Sequence, residues 1–361
     1  MREPVASCRE PATDEMRSAV AVWIALVLCL LIACSAAAPS SADVSSMYPR
    51  SELDKAAPRL TAAVTKIYDL GVKPHLTSVE LSRLRDFGFD FPLPSPSDEV
   101  LNFYATDPGG RPVVVMPILS LMVVEDMATA YAWLYQNGMS LGTIDLYFSM
   151  LRHKPKRDLP EGKYPPLLPT LGIPQNALKD AKIDQLSLSF RNQAFAFVLV
   201  HELGHILHKH KGYDAITKAQ ARADEAEADR FALDVLARTQ TAPLGAILFF
   251  QAQVYSHPHR GEFADRQAWQ QYLLTTSTHP LTVDRIAAMG DYIEGPLVHG
   301  RVKETAVWSS IGIKLRAMIR IMEDEPLQRC TARVAATADL SILKPRKDIA
   351  REEFARICSK T

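Results

Sequence analysis

The chain has 361 residues, 47% of them hydrophobic, enough to bury a sizeable core in one large domain or two, which excludes general disorder. Basic and acidic residues number 41 each, so the formal net charge is zero. With no long basic run either, nothing electrostatic favours nucleic acid, and no nucleic-acid partner is expected.

Residues 16–34 carry one positive charge and then an apolar run that ends in small residues, the pattern of a secretion signal, with Met16 as an alternative start. The run from Ala19 to Ala33 falls short of the roughly 20 residues that span a bilayer, so a permanent transmembrane helix is the lesser reading. Leu31-Ile32-Ala33-Cys34 resembles the bacterial lipobox, in which the peptide is cut before a cysteine that becomes lipidated; plain cleavage after Ala42 is the competitor. We favour a signal peptide over 1–33, a lipid anchor at Cys34 that attaches the protein to a membrane, and a flexible Ala/Ser/Pro tether over 34–50. The protein is then exported, either periplasmic or an outer-membrane lipoprotein facing the periplasm.

Leu60, Val64, Ile67 and Leu70 recur at helical spacing, which predicts a helix over 53–70 capped by Gly71, followed by a loop at 92–96. Two more helices are expected over 127–137 and 141–153, separated by Asn137-Gly138. The proline-rich stretch 154–174 reads as irregular, either a surface linker or a loop bordering a cleft.

The next stretch, Phe195-Ala-Phe-Val-Leu-Val-His201-Glu202-Leu-Gly-His205-Ile-Leu, sets a His-Glu-x-x-His motif in an apolar helical run. Four residues apart, His201 and His205 share one helical face about 6 Å apart along the axis, so both imidazoles can reach one tetrahedral zinc ion. Glu202 then points beside the metal and is the candidate catalytic base. A buried helix does not carry two histidines and a glutamate without a partner. A third ligand is needed, and the metzincin pattern is excluded because His208 and Lys211 stand where its glycine and third histidine would be.

Downstream, Ala223-Asp224-Glu225-Ala226-Glu227-Ala228-Asp229 predicts a second helix that can supply a carboxylate. Glu225 and Asp229 share a face with Ala221, Ala228 and Ala232, whose small side chains permit close helix approach. Glu225 is the expected third zinc ligand, and Asp229 the group that holds the free ring nitrogen of a ligand histidine. Asp224 and Glu227 read as solvated.

A helix is expected over 242–254, then a polar connection over 255–262 whose His257 and His259 read as solvated, since no carboxylate or cysteine stands out beside them. Further helices are expected over 307–322, 327–338 and 348–359. Cys330 and Cys358 either pair in an oxidising compartment or remain two buried thiols; spacing does not decide.

Three motifs in combination carry a resemblance: His201-Glu-Leu-Gly-His205 with His210 five residues on, Glu225-Ala-Glu-Ala-Asp229, and Thr278-His279-Pro280-Leu-Thr-Val-Asp-Arg285. Together they are similar to the HtpX and CAAX prenyl protease family of zinc metallopeptidases, of gluzincin type, with the soluble BepA-like branch nearest. The resemblance spans about residues 102–293. It implies His201, His205 and Glu225 as ligands of one zinc ion per chain, Glu202 as catalytic base and Asp229 behind the ligands. It further implies His279 and Arg285 near the active site, where either could stabilise the oxyanion. Asn102-Phe-Tyr-Ala, Pro108-Gly109-Gly110 and Val113-Val-Val-Met resemble the family's upstream strand, although here roughly eighty residues separate it from the zinc helix.

The expected fold is mainly α (α+β), a gluzincin-like zinc metallopeptidase domain with a small sheet over 51–300 and a C-terminal helical extension over 301–361. The expected function is a zinc metalloendopeptidase acting on polypeptides in the cell envelope, possible work for protein quality control. A zinc-stabilised chaperone or binding protein that does not cut is the alternative. A regulatory metallopeptidase of the kind paired with phage repressors is a further rival, disfavoured by the export signal and by His279-Pro280.

Overall fold

The structure, a computed structural model, describes residues 44–95, 100–212, 215–275, 282–349 and 356–358. The signal peptide, Cys34 and His279 lie outside the described residues. Those described belong to one compact unit, 42–361.

In chain order the helices are α1 (Arg50–Lys66), α2 (Ser78–Arg83), α3 (Ile118–Gln136), α4 (Gly142–His153), α5 (Leu167–Leu171), α6 (Ala181–His208), α7 (Lys218–Arg238) and α8 (Leu244–Ser256). They continue with α9 (Arg266–Thr275), α10 (Val283–Glu294), α11 (Pro296–His299), α12 (Thr305–Glu323) and α13 (Glu325–Thr337). Three short strands, β1 (Gly88–Asp90), β2 (Tyr104–Thr106) and β3 (Val113–Val115), form one sheet in the order β1-β3-β2. β1 runs parallel and β2 antiparallel to β3. The protein is therefore mainly α with a small sheet, as its sequence leads one to expect. Among the described residues, no helix is long and apolar enough to cross a membrane.

The core is built around α3 and α6. Ile118 to Leu134 is buried almost all round, as a helix must be when it is enclosed by others rather than lying on a surface. α6 packs against α3 on one side and against α7 and α8 on others, while β2 and β3 also touch it. Its N-terminus is capped by Asp180, whose carboxylate accepts from the amides of Lys182 and Ile183. Gly245 permits the crossing of α8 over α6, since a Cβ there would lie 2.2 Å from the Cα of Ala194.

Several boundaries differ from the sequence reading. α1 passes into a π-helical turn over Ile67–Val72 that contains Gly71, so Gly71 does not cap it. α3 begins at Ile118 rather than 127, because Ile118 to Val124 is apolar but for Ser120 and so has no helical period to detect. The proline-rich stretch holds short 3₁₀ turns and α5, which ends at a left-handed Gly172. Cys330 on α13 is disulfide-bonded to Cys358, with Cα atoms 5.3 Å apart. Residues 301–323 share the main core, since Trp308, Ile311 and Leu315 of α12 are buried and the helix packs on α10 and α8.

Candidate metal centre

The packing of α6 on α7 brings the two sequence motifs face to face. Gly204 makes this approach possible: a Cβ there would lie 3.0 Å from the Cα of Ala228 and 3.2 Å from Phe231. Ala221, Ala228 and Ala232 are buried on the facing side of α7, which is how small residues let two helices come close.

At this seam His201 Nε2 and His205 Nε2 are 3.1 Å apart, Glu225 Oε2 is 3.6 Å from the first and Glu225 Oε1 3.5 Å from the second. The three side chains are buried and their donor atoms form one group that could hold a metal ion. Tetrahedral zinc with bonds of about 2.0–2.2 Å holds its ligand atoms about 3.3–3.6 Å from one another. The donor set, two imidazole nitrogens and a carboxylate, fits such an ion, as do both histidine–carboxylate separations, and the two imidazole nitrogens need part by only about 0.2 Å.

Charge points the same way. Glu202, Glu225 and Asp229 are all buried with Arg285. With all three carboxylates ionised, the one guanidinium would leave two negative charges, which a divalent cation would neutralise. Glu202 is 3% exposed and its charge acts on His201.

Behind the donors, Asp229 Oδ1 is 2.9 Å from His201 Nδ1. Arg285 reaches this layer because Thr282 caps α10 by accepting the amide of Arg285, which sets the arginine in the first turn of that helix. Its Nε and Nη2 donate to the two oxygens of Asp229 at 2.6 and 2.9 Å, and its Nη1 lies 2.6 Å from Glu225 Oε2. The guanidinium also lies over the Phe250 ring, 5.1 Å from its centroid. Burial opposes ionisation of Asp229, but the charge and hydrogen bonds of Arg285, with those of His201, outweigh it and hold the carboxyl below its ordinary range. Burial likewise opposes protonation of His201, and Asp229, Glu225 and Glu202 outweigh it in the other direction.

His210 belongs to the same assembly for a backbone reason. α6 ends in a Schellman turn: Lys209 is left-handed (φ 57°), its amide donates to Ile206 and that of His210 donates to the His205 carbonyl. The turn folds His210 back so that its Nδ1 lies 2.9 Å from Nδ1 of His205, while its Nε2 lies 3.0 Å from Glu227.

Asp224 and Glu227 do not both face solvent, contrary to the sequence reading. Asp224 is buried, accepts from Gln220 and lies 3.7 Å from His210, whereas Glu227 is half exposed and also meets His208. The roles of His210, Asp224 and Phe250 escape a sequence reading. The only local signal is the five-residue offset of His210 from His205.

The fold and this cluster define a helical protein in which a His-Glu-x-x-His helix faces a Glu-x-x-x-Asp helix across a group of side chains that could hold a metal ion. Residues 163–302, which include every residue of the cluster, match the model of a family described as Peptidase U49. The chain is thus similar over this span to a peptidase family, a coarser assignment than the HtpX, CAAX prenyl protease and BepA-like resemblance of its motifs. Neither a curated protein nor a solved structure matches the chain.

Proposed function

We propose that the protein is a zinc-dependent endopeptidase that hydrolyses polypeptides in the cell envelope. The observation that carries this reading is the group formed by His201, His205 and Glu225, at tetrahedral spacing, with Glu202 next to the first histidine in sequence. These three residues would hold the ion. Bound zinc supplies a Lewis acid that polarises the carbonyl under attack. Glu202 takes the proton of the attacking water and returns it to the leaving amine. Asp229, with Oδ1 2.9 Å from Nδ1 of His201, keeps the Nε2 lone pair turned toward the donor group.

Arg285 is better read as a positioning residue than as an oxyanion donor, because its nitrogens are directed at Asp229 and Glu225. We keep His279 as the candidate for oxyanion stabilisation on the strength of the motif resemblance. Export and a lipid anchor at Cys34 complete the proposal. The disulfide between Cys330 and Cys358 supports an oxidising compartment.

The test is cleavage of unfolded β-casein by the zinc-loaded protein beside Glu202→Gln. Glu202→Gln should retain one equivalent of zinc at this centre and lose cleavage, whereas His201→Ala, His205→Ala and Glu225→Ala should lose that zinc. Wild-type cleavage by Glu202→Gln refutes the assigned base. Absence of cleavage by a zinc-loaded wild-type protein favours the non-proteolytic chaperone.

A further inference from the structure

A second group of imidazole and carboxylate side chains lies outside the centre described above. α4 ends at His153, and α8 is followed by a turn over Arg260–Glu262 that begins beside His259. Packing of α4 on α8 places the rings of His153 and His259 with centroids 5.8 Å apart. Glu262 Oε1 lies 3.6 Å from Nε2 of His259, and one donor atom from each of the three residues lies within 4.8 Å of the others. The sequence reading of His259 as a solvated loop histidine without a carboxylate neighbour is therefore corrected: Glu262 stands three residues on in the same turn, and the packing supplies His153 and the burial.

His259 is only 9% exposed, and neither of its ring nitrogens has a hydrogen-bond partner among the described residues. A buried polar group left in that state is costly, so a native fold that keeps one calls for an explanation. The ring is also held in place. A Cβ on Gly261 would lie 3.2 Å from Cε1 and Nδ1 of His259 and 2.8 Å from Cγ of Arg329, so the turn wraps closely around the imidazole. Glu262 is oriented by the amide of His259 at 2.9 Å and by Arg152, whose Nη2 and Nε donate at 2.6 and 3.2 Å. Oε1 accepts both the amide and Arg152 Nε, whereas Oε2 accepts only Arg152 Nη2 and keeps a lone pair for a metal. An arginine also pairs with the carboxylate of the first centre, Arg285 with Glu225.

We propose that His153, His259 and Glu262 form a second divalent-cation site, of zinc type, that clips the end of α4 to the turn after α8. Two imidazoles and one carboxylate suit zinc and its neighbours among the transition metals, whereas magnesium and calcium take oxygen ligands. The role is structural: the site ties together two helix ends next to α13, which packs on both the turn and α4.

The experiment strips the full-length protein with a chelator, titrates it with Zn²⁺ alone and counts retained metal after desalting. We expect two equivalents in the wild type and one in the doubly substituted His201→Ala/His205→Ala protein. His153→Ala/His259→Ala should likewise hold one, and the four substitutions together none. Zinc should also raise the Tm of His201→Ala/His205→Ala, and that shift should vanish when His259→Gln is added. If His153→Ala/His259→Ala fails to fold by circular dichroism, His259→Gln and Glu262→Gln decide the same point with less loss of volume. No zinc retained by His201→Ala/His205→Ala, or no zinc-dependent Tm shift in that protein, overturns the second site. Loss of the first centre alone leaves the second equivalent in place, so the two proposals fail separately.

Discussion

Substituting Gly204 by alanine tests the helix contact on which the donor group depends. In an isolated helix the change would stabilise by about 1 kcal/mol, because glycine is the poorer helix former. Here the new methyl group would stand 3.0 Å from the Cα of Ala228, 3.2 Å from Phe231 and 3.3 Å from the Cβ of Ala228. Carbon atoms in contact prefer about 3.5–4.0 Å, so α7 must retreat by about half an ångström. Overpacking of this kind costs typically about 1–3 kcal/mol, which leaves the metal-free protein destabilised by up to about 2 kcal/mol. The retreat also carries Glu225 away from His201 and His205, when metal sites tolerate only about 0.2 Å in ligand distance. A further 1.4 kcal/mol of misfit would weaken zinc binding about tenfold. Urea unfolding of the metal-free protein measures the first effect, and competition with a chromophoric chelator the second. A Gly204→Ala protein that gains about 1 kcal/mol and binds zinc like the wild type would refute the close approach of α6 and α7.

Arg285→Ala should cost about 3–5 kcal/mol in urea unfolding of the metal-free protein, because it strands the buried carboxylates of Asp229 and Glu225. A loss under 1 kcal/mol would contradict that pairing. Burial pushes the Asp126 carboxyl up to about 7 from 3.8, although the Tyr48 hydroxyl donates to it at 2.7 Å. The folded protein then binds a proton that the unfolded chain releases, so stability is greatest below pH 4 for this group and falls as pH rises toward 7. Asp126→Asn should remove up to about 4 kcal/mol of that pH dependence, read from unfolding midpoints between pH 4 and pH 8, and an unchanged slope contradicts it. Intact-mass measurement of the mature N-terminus should find an acylated Cys34, and Cys34→Ser should release the protein from membranes. An unmodified N-terminus at Asp43 would remove the lipid anchor and leave the zinc proposal untouched.

By itself the sequence determined the parts of this protein that depend on local spacing. An α-helix repeats every 3.6 residues, so His201 and His205 had to share a face, as did Glu225 and Asp229, and the alanines beside the carboxylates marked the side of α7 that meets another helix. The mainly helical class was legible for the same reason, while the small sheet was expected from the resemblance of Asn102-Phe-Tyr-Ala and Val113-Val-Val-Met to a family strand. What spacing cannot say is which faces meet, and there only the tertiary structure decided. α3 opens on the apolar stretch Ile118 to Val124, which has no periodic edge from which to read its start. His210 joins His205 through a left-handed Lys209, a conformation that no side-chain pattern announces in a residue other than glycine. Arg285 turns toward Asp229 and Glu225 because α10 packs on α7, more than fifty residues away in sequence. His259 passes from an ordinary loop histidine to a buried, unpaired one because α4 and α8 bring His153 and the turn to Glu262 together. In each case long-range packing removes water and sets a partner at hydrogen-bond distance, and that changes the chemistry of a side chain whose identity alone left it open.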